Sequence, residues 1–217
     1  MEGAMRSSVP IPGNPWPHDM LITVEDNPHA LVDLLWIREA WNLQPAANDL
    51  PPLLSDESVK THARTELSDR TQIWQNVWSS IWQACVHHAG ILHDENNFDQ
   101  LRETGDGSME RAELLKSLIG PSWRDDFGPE AFTDQYEVWN RTRAAAQSER
   151  FHLPLNEEPE RVSLTALIPA WRSGLSKIVS IPCQGTYTRV VGRHALLVTD
   201  ETRADPRRYS DALKQFR

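Results

Sequence analysis

The sequence contains only two cysteines, Cys85 and Cys183, among its 217 residues. Two cysteines can form at most one internal disulfide, which excludes a disulfide-stabilised scaffold of the secreted type. No apolar run approaches the roughly 20 residues of a transmembrane helix, and the N-terminus lacks the apolar stretch of a signal peptide. We therefore expect a soluble cytoplasmic protein whose two thiols are free and structural.

Short sequences that bind phosphate or carry common hydrolytic chemistry are also missing. The chain has no GxGxxG or GxxxxGK[ST] loop, no GxSxG elbow and no HExxH pair. Their absence excludes the commonest nucleotide-binding and hydrolase signatures. We therefore expect no resident cofactor and assign no catalytic activity, with a divalent metal site as the alternative considered below.

The chain has no overall excess of basic residues, and its charge is unevenly distributed. Residues 1–160 carry 12 basic and 27 acidic side chains, a net charge of −15, whereas residues 161–217 carry 10 and 4, a net charge of +6. The acidic majority repels nucleic-acid backbones, so we expect no nucleic-acid binding. The basic segment either pairs with the acidic body of its own chain or binds an anion; its candidate anion-binding residues are Arg189, Arg193, Arg207 and Arg208.

Nine tryptophans and 39% hydrophobic residues are enough for a sizeable core and exclude a wholly disordered chain. Four prolines mark residues 1–25 as an extended N-terminal segment with a short edge strand at 20–24. Residues 26–160 form the predicted helical body, and residues 161–217 form an α+β part that packs on it. We expect one globular unit.

The fold class predicted is α+β and mostly helical, with about five helices followed by a small sheet. Three β-branched runs, at 177–181, 186–191 and 194–199, predict a three-stranded antiparallel meander. Asp205-Pro206 is a cap followed by proline and starts a C-terminal helix. The polar stretch from Asp94 to Gly107 is predicted to be mostly surface loop. Ser108 is expected to cap the next helix, which Gly120 ends.

The clearest periodic pattern is a stripe of tryptophans. Trp74, Trp78 and Trp82 recur at every fourth residue, and an aliphatic row precedes them by one position. This spacing predicts a helix over 69–88 with one broad apolar face. The stripe is expected to lie in the core, with a protein interface or a ligand platform as alternatives, and Trp78 is expected to be nearly fully buried. Gly90 is expected to end this helix in the left-handed conformation.

Histidines and carboxylates concentrate after that helix. His87 and His88 point about 100° apart on a helix and are poor joint ligands. The stretch AGILHDE at 89–95 resembles the His-Asp doublet of HD-domain metal phosphohydrolases, in which an apolar helix ends in that pair. The resemblance implies a metal-dependent hydrolase that uses His93 and Asp94, with His62, 31 residues upstream, as the first histidine. At residues 95–97 this chain has Glu-Asn-Asn, where the family usually has small residues after the doublet.

Two classes of function therefore remain. The first is a protein that acts through protein–protein contacts, with a partner protein or as a homodimer, and without interaction with a membrane. The alternative is the metal-dependent hydrolase with His62, His93 and Asp94 as metal ligands. Cys183 and His194 could in principle form a nucleophile and base pair, but no third group supports them.

Overall fold

The protein is an α+β structure built around a four-stranded mixed sheet. The computed structural model describes residues 13–47, 49–56, 58–61, 69–92, 95–150 and 154–217. Its strands are β1 (Thr23–Glu25), β2 (Lys177–Ile181), β3 (Thr188–Val191) and β4 (Ala195–Thr199). They lie in the order β1-β2-β4-β3.

Helices make up most of the rest of the described chain. They are α1 (His29–Ala40), α2 (Ser58–Thr61), α3 (Asp69–Ala89), α4 (Glu95–Glu103), α5 (Met109–Ile119), α6 (Trp123–Phe127), α7 (Asp134–Arg150), α8 (Pro159–Val162), α9 (Leu164–Arg172), α10 (Asp200–Ala204) and α11 (Pro206–Lys214). A 3-10 turn spans Leu155–Glu157. No helix in these residues is long and apolar enough to cross a membrane.

The sheet corrects the predicted antiparallel meander. β1, β2 and β4 run parallel, and only β3 is antiparallel, paired with β4. All five residues of β4 are buried, whereas in β3 only Val191 is. A strand that is apolar on both faces is best placed in the middle of a sheet, and this puts β4 between β2 and β3. The short N-terminal strand lies at the opposite edge, as expected, but at Thr23–Glu25.

Helices cover both faces of the sheet, which gives three layers. One core lies between the sheet and the helices α1, α3, α6 and α7. A second core lies on the other face, against α9 and α11. Alternate residues of each inner strand point into the two cores, so that Val179 and Leu197 enter the first and Ile178 and Leu196 the second. The division into an N-terminal segment, a helical body and a C-terminal part stays a prediction.

The tryptophan stripe lies in the first core, as predicted. Trp74, Trp78 and Trp82 are buried on α3, and Trp78 has no exposed surface. The indole N–H of Trp78 donates to the carbonyl oxygen of Leu34 on α1 at 2.8 Å, and its ring stacks on Trp82. The stripe therefore joins α3 to α1 by both packing and a buried hydrogen bond.

The helices between residues 94 and 120 differ in part from the prediction. The stretch expected to be loop contains α4, whose last turn is held by Arg111 of α5, because this guanidinium donates to the carbonyl oxygens of Leu101 and Thr104. Sequence periodicity alone did not indicate α4, because its residues are mostly polar. The cap of α5 is confirmed: the Ser108 hydroxyl accepts the N–H of Arg111, and Gly120 follows with a φ of 75°.

The number of helices exceeds the five predicted because several short ones fall in expected connections. The sequence also predicts a helix over residues 163–175 that Pro169 shortens or kinks. The structure has α9 there, with Pro169 inside it, and the short helix α8 directly precedes it. The C-terminal helix starts as predicted, since Asp205 caps α11 by accepting the N–H groups of Arg207 and Arg208. The acidic pair Asp56-Glu57 after Ser55 also predicts a helix that extends to about residue 67. Residues 62–68 of it lie outside the described chain.

Gly90 follows α3 without adopting the left-handed conformation, which corrects the expectation for it. Its role is to let the end of α3 approach β3 closely. A Cβ at Gly90 would lie 2.5 Å from Cγ1 of Val191 and 3.2 Å from the Val191 carbonyl oxygen. Only glycine lets the end of α3 pack this tightly against β3.

We expect Gly90→Ala to lower the free energy of unfolding by about 1–3 kcal/mol, because the added methyl group overpacks this contact. Urea denaturation followed by circular dichroism measures the change. Gly105→Ala is the matched control, because a Cβ there meets nothing within 4 Å. Equal stability of the two variants would contradict the close approach of α3 and β3.

Candidate functional site: a groove between α3 and the edge strand β3

Among the described residues, no strand pairs with the outer edge of β3. The N–H of Thr199 donates to the carbonyl oxygen of Tyr187, which makes these two residues a hydrogen-bonded pair at the start of the β3–β4 ladder. Because such pairs alternate along antiparallel strands, the N–H and C=O groups of Thr188 and Val190 point away from β4. β3 therefore presents backbone donors and acceptors that can pair with another extended chain.

A groove of about 410 Å³ runs beside this edge, between β3 and the second half of α3. One wall is β3 and the turn after it. The other wall is α3. At the C-terminal end of α3, the contact of Gly90 with Val191 closes the groove. Its lining residues are Gln83, Ala84, Val86, His87, Arg189, Val190, Val191 and Gly192.

The polar side chains of the groove favour a negatively charged ligand. Arg189 is held in place because its Nη2 donates to Oε1 of Gln83 at 2.6 Å and its Nη1 lies 3.4 Å from Oδ2 of Asp49. His87 is exposed on the α3 wall. Arg193 is exposed in the turn after β3 and forms no ion pair with a carboxylate of the described residues. The guanidinium of Arg189, which is held in place, and that of Arg193, which has no ion pair among the described residues, thus lie along the same edge of β3.

An extended peptide that pairs with an exposed sheet edge is a recognition mode found in unrelated folds. No protein-family model, no curated protein and no solved structure matches this chain. The functional assignment accordingly rests on the geometry and charge of the groove itself.

The structure separates the four candidate anion-binding arginines. Arg193 precedes β4, whereas Arg207 and Arg208 follow it at the start of α11, so that the length of the strand lies between them. Arg189 pairs with Asp49, which is the expected contact with the acidic body, but Arg208 lies near Glu201 and Asp205 of its own segment. Arg207 forms no ion pair among the described residues. Anion binding by these arginines stays a prediction.

The predicted metal ligands His62, His93 and Asp94 all lie outside the described residues. Within the described part of the chain, no group of three or more His, Cys, Asp or Glu side chains could hold a metal ion. His87 lines the groove, and a ring nitrogen of His88 lies 3.2 Å from the carbonyl oxygen of Leu118. The metal site stays a prediction.

Both cysteines are buried free thiols. Burial raises the pKa of the Cys85 thiol to about 12 and raises that of Cys183 well above its usual range, so neither forms a thiolate readily. Cys183 follows the carboxyl end of β2, while His194 precedes the amino end of β4, which is parallel to β2. The two residues are therefore at opposite ends of the sheet and do not form a nucleophile and base pair.

A buried polar cluster joins α1, α6 and α7 near the first core. The Tyr136 hydroxyl donates to Oδ1 of Asp33 at 2.5 Å, and Nε of Arg124 lies 3.8 Å from Oδ2 of the same carboxylate. Burial raises the pKa of Asp33, although the hydrogen bond from Tyr136 and the charge of Arg124 act in the opposite direction. Both oxygens of Asp33 thus have partners within the fold, and we assign the cluster a structural role.

Sequence reasoning missed the groove because it placed β3 in the middle of the sheet. A usable signal was present: the run ALLVT of β4 is uninterrupted and mostly apolar, whereas TYTRVV contains the polar residues Thr186, Thr188 and Arg189. The first pattern is typical of a central strand and the second of an edge strand. The contribution of Gln83 and His87 had no such signal, since only the packing of α3 brings them to β3.

Proposed function

We propose that this protein acts through protein–protein contacts by binding an extended, acidic segment of a partner protein along the edge of β3. The observation that carries the proposal is the open edge of β3 beside the groove formed with α3. Support for the chemistry of the partner comes from the side chains that border this edge. We also propose the cytoplasm as its location, in keeping with two buried thiols that are free.

In this proposal, backbone hydrogen bonds along the outer edge of β3 supply the affinity for the partner segment. A bound strand would pair with the N–H and C=O groups of Thr188 and Val190, which β4 leaves free. Because side chains alternate along a strand, every second side chain of the bound segment would enter the groove toward α3. Ala84 has a small side chain on the α3 wall, so the groove has room there for small or medium side chains of the bound segment.

Charge selects the partner in this proposal. Arg193 has no carboxylate partner among the described residues, and Arg189 is oriented by Gln83 at the groove wall. Arg189 already has Asp49 as an ion-pair partner. An acidic side chain in the bound segment would therefore pair with Arg193, and such charge complementarity favours association and specificity.

The test starts from a phage-displayed library of random twelve-residue peptides selected on the full chain. We expect acidic sequences, and we expect a selected synthetic peptide to shift the backbone amide signals of Thr188 and Val190 in NMR spectra. Val190→Pro removes an outward-facing N–H and leaves the bonds to β4 intact, so it should weaken peptide binding about tenfold or more. Fluorescence anisotropy measures the dissociation constants.

The matched control is Val190→Thr, which keeps the N–H and the β-branched shape and should bind as the wild type does. Arg193→Glu tests the charge of the edge without touching the backbone, and it should also weaken binding. The proposal is wrong if no peptide is selected, or if selected peptides bind Val190→Pro and Arg193→Glu as tightly as the wild type.

The metal-dependent hydrolase stays an untested alternative. Its three residues lie outside the described chain, and no observation on the described residues favours it.

A further inference from the structure

A second cavity, of about 350 Å³, is lined by residues of α1, α2 and α7. Among the described residues, it shares no lining residue with the groove at β3. Trp36 of α1, Val59 of α2 and Trp139 of α7 line it and are buried. Pockets that bind small molecules have volumes of about 300–1,000 Å³. The cavity is therefore large enough for a small organic ligand.

The two tryptophans that line the cavity are held in place by packing within the first core. The ring of Trp36 packs on that of Tyr136 in T-shaped geometry, with centroids 5.2 Å apart, and the centroids of Tyr136 and Trp139 are 6.1 Å apart. A ligand would therefore meet aromatic surface that is already ordered, and its affinity would not be reduced by the cost of ordering these side chains.

One face of α7 forms a wall of the cavity. Asp134 and Val138, which are four residues apart and share that face, are exposed, Val138 by 63%, whereas Trp139 is buried. Arg143, one turn after Trp139, donates to Asn27 and does not line the cavity. The wall therefore has a carboxylate at its exposed rim and aromatic surface at its buried end.

The rim carries negative charge that the described chain does not neutralise. Asp134 forms neither an ion pair nor a side-chain hydrogen bond with the described residues. On the other wall, Oδ1 of Asp56 accepts the N–H of Ser58 at 2.9 Å, and Asp56 forms no ion pair there. The remaining polar lining residues, Gln135 and Thr142 with Ser58, are uncharged, and no described lining residue is a lysine or an arginine. Both carboxylates are therefore available to a cation.

We infer that this cavity binds a small organic cation, an amine whose apolar body packs on Trp36 and Trp139 while its ammonium group donates to the carboxylates of Asp56 and Asp134. Hydrogen bonds between an ammonium and a carboxylate are stronger than those between neutral groups. An anionic ligand would instead meet two like charges at the rim. This binding goes beyond the proposed function and is independent of the peptide groove.

Three probes that share a phenylethyl body and differ in charge test the inference: 2-phenylethylamine, 2-phenylethanol and 3-phenylpropanoate. NMR titrations of the full chain follow the indole N–H signals of Trp36 and Trp139. We expect the amine to shift both signals and to bind about fivefold or more tightly than the alcohol, and the acid to bind more weakly than the alcohol.

Two results of these titrations would overturn the inference. One is the absence of shifts at about 20 mM amine, well above the millimolar dissociation constant expected for a ligand of this size. The other is binding of the alcohol or the acid at least as tightly as the amine, because the occupant would then be a neutral or an anionic molecule.

Variants locate the charge that selects the amine. Asp134→Asn keeps the shape of the side chain and should weaken amine binding about two- to fivefold without affecting the alcohol. Glu137→Gln is the matched control, because Glu137 is exposed on the same helix and does not line the cavity; it should leave amine binding unchanged. Val138→Arg places a longer, cationic side chain at the cavity and should abolish the shifts.

Circular dichroism checks that each variant is folded. Amine binding that Asp134→Asn leaves unchanged, or that Glu137→Gln weakens equally, would contradict the role of the rim carboxylates. Binding of the amine to Val138→Arg with wild-type affinity would show that the amine lies elsewhere on the protein.

Discussion

We expect Trp78→Ala to lower the free energy of unfolding by about 3–5 kcal/mol, the range found for buried large aromatic residues. Trp78 has no exposed surface, and its ring centroid lies 5.3 Å from that of Trp82. Truncation leaves a cavity between α3 and α1. It also removes the indole N–H that donates to the carbonyl oxygen of Leu34. The Arg38 guanidinium, 5.5 Å from the Trp78 ring centroid, also loses this contact.

Chemical denaturation of wild type and variant measures this effect, provided that the transition is two-state. The matched control is Ile73→Ala on the same helix, since Ile73 is 54% exposed and its truncation should cost less than about 0.5–1 kcal/mol. Comparable losses for Trp78 and Ile73 would mean that the buried face of α3 is assigned to the wrong residues.

The second large effect is expected at Arg203, whose replacement by alanine should cost about 3–5 kcal/mol. Its Nε and Nη2 donate to the two oxygens of Glu160, each at 2.8 Å, and the Tyr209 hydroxyl donates to the same carboxylate at 2.8 Å. Glu160 is 6% exposed. Removal of Arg203 therefore leaves a buried carboxylate without its compensating charge.

The pH dependence of stability gives an independent check. Burial by itself raises the pKa of Glu160, but the hydrogen bonds and charge of Arg203 outweigh it and hold the pKa below its ordinary value of 4.5. A carboxyl group with a lowered folded-state pKa contributes stability that is present above about pH 4.5 and is lost as the pH falls below it. In Arg203→Ala, burial without this partner favours the protonated form. The stability difference between wild type and variant should therefore shrink below about pH 4.5.

Arg208→Ala is the control for this prediction. Arg208 is 47% exposed, and its contacts with Glu201 and Asp205 are 4.0 Å and 3.9 Å long. Exposed pairs of this kind contribute about 0–1 kcal/mol, so the loss should be small and nearly independent of pH. A difference between wild type and Arg203→Ala that stays constant from pH 7 to about pH 3 would contradict the role of the buried pair.

The sequence by itself determined the local elements whose signals are short-range. Four-residue spacing of large apolar side chains was sufficient to predict α3 and the burial of Trp78, because such spacing places them on one helix face. Caps were equally predictable: Ser108 and Asp205 satisfy N–H groups two or three residues further along the chain. The α+β class and the β-branched runs near the C-terminus followed from local composition as well.

Only the tertiary structure decided how the strands pair and where the candidate site lies. Pairing of β1 with β2 joins segments far apart in sequence, and pairing of β2 with β4 passes over β3, so a local turn sets neither of them. Burial of β4 on both faces favours its place between β2 and β3. That arrangement leaves β3 at the edge, where Gly90 brings α3 against it and forms the groove. The exposure of apolar residues on α5, such as Ile119, likewise depends on what packs against the helix. Local patterns specify which face of an element is apolar, but the neighbour that covers it depends on long-range packing.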